Sequence, residues 1–116
     1  MAAVMTQGLV QVEKCPTGIA GFDEISFGGL PRGRPTLVAG HAGSGKTLFA
    51  LEFVLNGIED YGEPGVFATF EESAGELAAN VASLGHDVAG HQAADRLRVV
   101  QIDPEPHTQV EAGQFD

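Results

Sequence analysis

Cysteine is almost absent from this chain, and tryptophan is missing altogether. Cys15 is the single cysteine among 116 residues. One cysteine excludes an internal disulfide and any metal site built from several thiolates. We interpret Cys15 as an ordinary small residue near the N-terminus.

Basic residues are also scarce. The chain has six lysines and arginines against sixteen aspartates and glutamates, which gives a formal net charge of −10. A protein that neutralises a nucleic-acid backbone needs the opposite sign of charge. The composition therefore disfavours nucleic acid as a partner of this segment.

Long hydrophobic runs are missing as well. No apolar stretch approaches the length that crosses a bilayer, and the first residues lack a charged region followed by an apolar one. We therefore expect a soluble, cytoplasmic protein without a membrane partner. The 43% hydrophobic content and the sixteen glycines are typical of a globular α/β protein, and the length fits one domain or part of one.

A phosphate-binding motif occupies residues 40–47, where the sequence is Gly-His-Ala-Gly-Ser-Gly-Lys-Thr. Every fixed position of the pattern Gly, four residues, Gly-Lys-Thr is satisfied. The preceding run Thr36–Ala39 predicts a short strand buried in a parallel sheet. Strand, glycine-rich loop and helix then follow in the order that phosphate binding requires. The helix is predicted over about 46–59 by apolar residues at three- and four-residue spacing: Leu48, Leu51, Leu55 and Ile58.

The motif also predicts a role for each residue type. Glycines let the backbone curl until successive N–H groups point at a polyphosphate, and the helix N-terminus adds its own N–H groups. Lys46 would place an ammonium near the β- and γ-phosphates, and the Thr47 hydroxyl would ligate the accompanying Mg²⁺. The alternative is a glycine-rich turn that binds nothing. The candidate ATP-binding residues are Gly40, Ala42, Gly43, Ser44, Gly45, Lys46, Thr47 and Leu48.

Two adjacent carboxylates provide a second functional signal. Val66–Phe70 predicts another buried strand, which would form one right-handed parallel crossover with Thr36–Ala39, and Glu71 and Glu72 follow it directly. Ligands bind beyond the carboxyl ends of parallel strands, where a carboxylate could orient or deprotonate a water for attack on the γ-phosphate. Alternatively, both are solvated acids at the N-terminus of the next helix, whose dipole favours negative charge.

Local patterns predict the remaining elements. Ser73 and Glu76 form a capping-box pattern at the start of a helix, and Leu97–Ile102 is a third strand candidate. His86 and His91 are five residues apart with no third ligand in register, so we predict no metal site there. The inner face of the predicted helix consists of Leu77, Val81 and Leu84.

Several further motifs together resemble one family of proteins. They are Thr17-Gly18-Ile19, Gly21-Phe22-Asp23, Gly28-Gly29-Leu30-Pro31, Gly33-Arg34, the phosphate loop with Leu48-Phe49, Glu63-Pro64-Gly65-Val66-Phe67 and Thr69-Phe70-Glu71-Glu72. With these motifs, the chain resembles the N-terminal ATPase domain of KaiC, a RecA-superfamily ATPase at the centre of a circadian clock, over about residues 12–116. The resemblance implies a RecA-like fold, ATP with Mg²⁺, and a hexameric ring with nucleotide bound between neighbouring subunits. It also implies that Glu71 and Glu72 are paired catalytic glutamates acting beside Lys46.

The chain also departs from that family. We divide it into an N-terminal arm, 1–14, and the N-terminal portion of a KaiC/RecA-like ATPase domain, 15–116. KaiC proteins carry a second, phosphorylated domain that is not in this sequence, so autokinase activity is not predicted. We interpret Asp103 as structural. Because half a doubly wound sheet leaves an apolar edge uncovered, we expect the isolated chain to bind ATP weakly or to fold poorly.

Three functions remain as alternatives. The first is a KaiC-type ATPase segment that hydrolyses ATP with Mg²⁺ in a ring when the domain is complete, with clock proteins as possible partners. The second is a nucleotide-binding module without turnover that modulates KaiC-like rings. The third is a RecA-type DNA-dependent ATPase, which the net charge of −10 disfavours.

Overall fold

A computed structural model describes residues 12–70 and 72–103 of the chain. Most of the predicted N-terminal arm, Glu71, and the residues after Asp103 therefore lie outside the described residues. Within them, no helix is long and apolar enough to cross a membrane. The elements are, in chain order, β1 (Lys14–Cys15), α1 (Phe22–Ile25), β2 (Leu30–Pro31), α2 (Lys46–Tyr61), β3 (Gly65–Thr69), α3 (Ala74–Ala82), α4 (Val88–Ala93) and β4 (Leu97–Gln101).

A parallel strand pair and the helices beside it form the main body of the structure. Strands β3 and β4 pair in parallel, in register from Gly65 opposite Leu97 to Thr69 opposite Gln101. A parallel pair needs a long crossover, and α3 and α4 supply it. The predicted strands at 66–70 and 97–102 are confirmed to within one residue at each end.

Helix α2 carries the largest share of the core. It begins at Lys46 as predicted and ends at Tyr61, two residues later than predicted, with Gly62 in the left-handed conformation as its cap. The buried core residues come from α2, α3, α4 and β4, and they are Leu51, Leu55, Ile58, Leu77, Val81, Val88 and Leu97.

Two leucines expected in this core are largely exposed instead. Leu48 is 38% exposed and Leu84 is 50% exposed. Leu48 lies in the first turn of α2, where it lines an open cleft rather than packing under the helix. Leu84 follows the end of α3 at Ala82, so it leaves the apolar face that Leu77 and Val81 share.

The prediction of a strand at Thr36–Ala39 is wrong. This segment has no strand assignment and pairs with neither sheet of the described part of the chain. Leu37 is 91% exposed. An apolar, β-branched run has the propensity for a strand, but a strand exists only when neighbours supply hydrogen bonds and packing. The expected crossover from this segment to β3 is likewise not formed, and the crossover that exists joins β3 to β4.

A network of side-chain hydrogen bonds around Thr17 holds the segment before the phosphate loop against α2. Strands β1 and β2 pair antiparallel, and the buried Thr17 lies two residues after the end of β1. The Asp23 carboxylate accepts hydrogen bonds from the Thr17 hydroxyl at 2.7 Å and from the Gly18 N–H at 3.0 Å. Burial raises the pKa of Asp23, but these hydrogen bonds outweigh it and hold the pKa below its usual value. The Asn56 amide of α2 donates to the Thr17 carbonyl at 3.0 Å.

Candidate functional site

The phosphate loop is curled rather than extended. Gly43 and Gly45 have φ angles of 80° and 95°, a left-handed region that residues with a side chain avoid. The Ser44 N–H donates to the His41 carbonyl at 3.1 Å, which closes a turn inside the loop. A Cβ atom on Gly40 would lie 2.6 Å from the Ser44 hydroxyl oxygen, so glycine at this position leaves room for the Ser44 side chain as it is oriented here.

Lys46 folds back across the loop that precedes it. Its ammonium donates to the Gly40 carbonyl at 2.5 Å and to the His41 carbonyl at 3.0 Å. These contacts bring a positive charge to the mouth of the loop, at the start of α2. Helix N-termini attract anions because their first N–H groups lack intrahelical partners.

An open cleft of about 390 Å³ lies at this end of α2. It brings five of the eight candidate nucleotide-binding residues together, while Gly40, Ala42 and Ser44 belong to the loop but do not line the cleft. Thr47 is exposed at this cleft. The lining residues are Gly43, Gly45, Lys46, Thr47, Leu48, Leu51 and Asn80.

Glu72 is connected to the same cleft. Its backbone N–H donates to the Thr69 hydroxyl at 3.2 Å, at the carboxyl end of β3. Its side chain accepts a hydrogen bond from Asn80, at 3.3 Å between Asn80 Nδ2 and Glu72 Oε2. Asn80 also lines the cleft, whereas Glu72 does not, so the Glu72 carboxylate is linked to the cleft through the Asn80 amide. Glu71 falls outside the described residues.

The capping box fixes where α3 begins after this glutamate. The Ser73 hydroxyl accepts from the Glu76 N–H at 3.2 Å, and the Glu76 carboxylate accepts from the Ser73 N–H at 2.8 Å. The sequence pattern predicted both bonds, and the prediction is confirmed. The start of α3 is therefore locked immediately after Glu72.

Sequence reasoning missed a cluster of two histidines and two glutamates between α2 and the residues that follow α3. Glu59 Oε2 lies 2.9 Å from both His86 Nδ1 and His91 Nε2. Glu52 Oε1 lies 3.5 Å from His86 Nε2. The one available signal is that Glu52 and Glu59 are seven residues apart and therefore share a helix face. Nothing local connects that face with histidines about thirty residues away.

The His86 side chain is only 7% exposed, so its charge depends on these neighbours. Burial by itself lowers the pKa of His86, but the hydrogen bonds and negative charges of Glu59 and Glu52 outweigh it and raise the pKa above 6.5. Burial raises the pKa of Glu59, and the two histidines outweigh that effect and lower it below 4.5. The cluster therefore joins α2 to the turn after α3 and to α4 by partly charged hydrogen bonds.

Comparison with known proteins shows what this loop and strand arrangement belongs to. The family model described as "ATPase: KaiC" matches residues 15–116, which is most of the chain. The chain belongs to the KaiC ATPase family. Membership confirms the resemblance noted in the sequence, together with the RecA-like P-loop fold that it implied.

Curated KaiC proteins are about half identical to the chain over the matched region. The circadian clock protein KaiC2 of Synechocystis sp. is 53% identical over 103 residues, 89% of this chain and 18% of that protein. The circadian clock oscillator protein KaiC of Prochlorococcus marinus strain MIT 9313 is 49% identical over 107 residues, covering 92% and 21%. That of Thermostichus vulcanus is 47% identical over 110 residues, covering 95% and 21%. The chain thus spans about a fifth of the length of these KaiC relatives.

Proposed function

We propose that the chain binds ATP with Mg²⁺ in the cleft at the N-terminus of α2 and forms part of an ATP-hydrolysing site. The single observation that supports this most is the curled loop at residues 40–47, with the Lys46 ammonium across its mouth. Free N–H groups, a helix N-terminus and a lysine in one open cleft are the features that bind a polyphosphate.

The residues of the cleft are suited to a triphosphate with its cation. Lys46 would exchange the Gly40 and His41 carbonyls for phosphate oxygens, since a charged acceptor makes the stronger hydrogen bond. The Thr47 hydroxyl is an oxygen ligand of the type that Mg²⁺ accepts alongside water and phosphate. When bound, the cation would neutralise negative charge on the phosphates. Membership of the KaiC ATPase family supports the same assignment.

Glu72 is our candidate for the group that orients the attacking water. It follows the carboxyl end of β3 and reaches the cleft through Asn80. Phosphoryl transfer asks the protein mainly for positioning and charge stabilisation, and one carboxylate beside the phosphates can hold or deprotonate a water. Glu71 is proposed as its partner from the family resemblance alone.

We further propose that hydrolysis takes place in a ring of KaiC-like subunits and that the protein acts in a circadian clock. The support is the identity of about 50% to the KaiC2 of Synechocystis sp. and to the KaiC of Prochlorococcus marinus. Clock proteins would then be its protein partners.

Calorimetric titration of the 116-residue chain with ATP, with and without Mg²⁺, tests nucleotide binding. Replacing Lys46→Ala removes a charge-assisted contact worth about 1.5–3 kcal/mol, so affinity should fall at least about tenfold. The Gln92→Ala variant alters an exposed residue of α4 and serves as the control. Equal affinities for all three proteins would contradict the proposed site.

Phosphate release from the same proteins tests hydrolysis. Glu72→Gln keeps the size of the side chain but removes its charge and basicity, and loss of a positioned base typically costs about 100-fold or more in rate. Binding of ATP together with no turnover above that of Glu72→Gln would favour a nucleotide-binding module without turnover.

A further inference from the structure

Asn80 is the residue that connects Glu72 with the phosphate cleft. It lines the cleft together with Lys46 and Thr47. Its amide Nδ2 also donates to Glu72 Oε2 at 3.3 Å. We infer that Asn80 is a positioning residue that holds the Glu72 carboxylate at the edge of the phosphate site. No motif in the sequence singles it out.

Asn80 lies on α3, and the backbone of α3 is held in place both at its first turn and next to Asn80. The capping box of Ser73 and Glu76 locks the first turn of α3. Val81, the next residue after Asn80, is fully buried in the core. The backbone that carries the amide therefore cannot shift easily, so the amide constrains a carboxylate that would otherwise sample several rotamers.

The chemistry of the donor suits a carboxylate that must act on water. Within residues 12–70 and 72–103, no lysine, arginine or histidine forms an ion pair with Glu72, whereas Glu59 is held by two histidines. A neutral amide can orient one carboxylate oxygen while the full negative charge stays available. The other carboxylate oxygen then has a fixed direction, in the way that the aspartate of a catalytic triad fixes the orientation of the histidine base.

This inference rests on the proposed hydrolysis through Glu72, and kinetics of the 116-residue chain separate the two. Asn80→Ala should lower kcat by about 10- to 100-fold, because misplacing a catalytic group by about 1 Å can cost about 100-fold, while KM for ATP stays within about twofold. Asn80→Gln retains the donor and should recover part of the rate. Asn80→Asp removes the donor and opposes Glu72 with a like charge, so it should not recover it. Gln92→Ala, on the exposed side of α4, should match the wild type.

A spectroscopic measurement tests the contact without reference to turnover. In Glu72→Ala, the side-chain amide signals of Asn80 should move relative to those of the wild type in ¹H–¹⁵N spectra. The signals of Asn56, whose amide is bound to the Thr17 carbonyl, should stay in place.

The outcomes of the two experiments are distinguishable. A wild-type rate equal to that of Glu72→Gln would remove the proposed function and this inference with it. A loss of rate in Glu72→Gln with none in Asn80→Ala would overturn the inference alone. Unmoved Asn80 signals in Glu72→Ala would also overturn it, and unchanged unfolding temperatures for the Asn80 variants exclude a merely structural effect.

Discussion

His86 Nδ1 lies 2.9 Å from Glu59 Oε2, so a histidine in the turn after α3 is bound to a carboxylate on α2. This pair makes the stability of the protein depend on pH. The pKa of His86 is raised above 6.5 in the folded state, so its stabilisation is complete below pH 6.5 and is lost as the pH rises through the raised pKa. The pKa of Glu59 is lowered below 4.5, so its stabilisation is present above that value and is lost on acidification.

We therefore predict that His86→Gln lowers the unfolding temperature more at about pH 5.5 than at about pH 8.5, since a larger fraction of His86 is charged at the lower value. Thermal unfolding followed by circular dichroism at the two pH values measures the difference. His41→Gln, a change at an exposed histidine of the phosphate loop, is the matched control. A pH-independent effect of His86→Gln would contradict the ion pair.

A second prediction, on the core, compares two leucines that both belong to apolar patterns in the sequence. Leu55 of α2 is fully buried, whereas Leu37 is 91% exposed. Leu55→Ala should lower the free energy of unfolding by about 2–5 kcal/mol through lost burial and a cavity. Leu37→Ala should change it by less than about 0.5 kcal/mol. Urea unfolding of both variants gives the two values, and a large effect of Leu37→Ala would show that the segment Thr36–Ala39 is buried after all.

A third prediction concerns the hydrogen-bond network around Thr17, in the segment before the phosphate loop. Asn56 donates to the carbonyl of the buried Thr17 at 3.0 Å. Asn56→Ala leaves that carbonyl without this partner, so the free energy of unfolding should fall by about 1–3 kcal/mol. Asn80→Ala truncates an exposed asparagine and should leave stability unchanged in the same denaturation experiment. Equal effects of the two substitutions would argue against the buried hydrogen bond.

Local patterns in the sequence predicted α2, α3, β3 and β4, but they missed α4 and the short pair β1–β2. The start of α2 at Lys46 and the capping box at Ser73 depend on residues within one helical turn, so neighbouring letters contain the necessary information. The segment Thr36–Ala39 shows where such patterns fail. Its apolar residues predict a strand, but whether a strand forms depends on partners that no local pattern specifies.

The candidate site likewise has one part that the sequence predicts and another that it does not. The curled loop at residues 40–47 could be predicted because its motif consists of consecutive residues, and in the structure the Lys46 ammonium donates to the Gly40 carbonyl of that loop. Asn80 and the Glu59 cluster could not, because tertiary packing brings them to their partners. Glu59 and His91 are 32 residues apart in sequence. Asn80 and the residues of the Glu59 cluster are common residue types at their positions in the sequence. Their contacts form only when the chain folds.

Amide mapping by ¹H–¹⁵N spectroscopy during a titration with ATP and Mg²⁺ tests the central claim most directly, since it shows which backbone N–H groups meet the phosphates. We predict that the largest shifts fall on Gly43, Gly45, Lys46 and Thr47, and that Lys46→Ala makes the shifts of Gly43, Gly45 and Thr47 smaller at the same subsaturating nucleotide concentration. Shifts concentrated elsewhere, or none in these four residues at saturating nucleotide, would contradict the assignment of this loop as the ATP site.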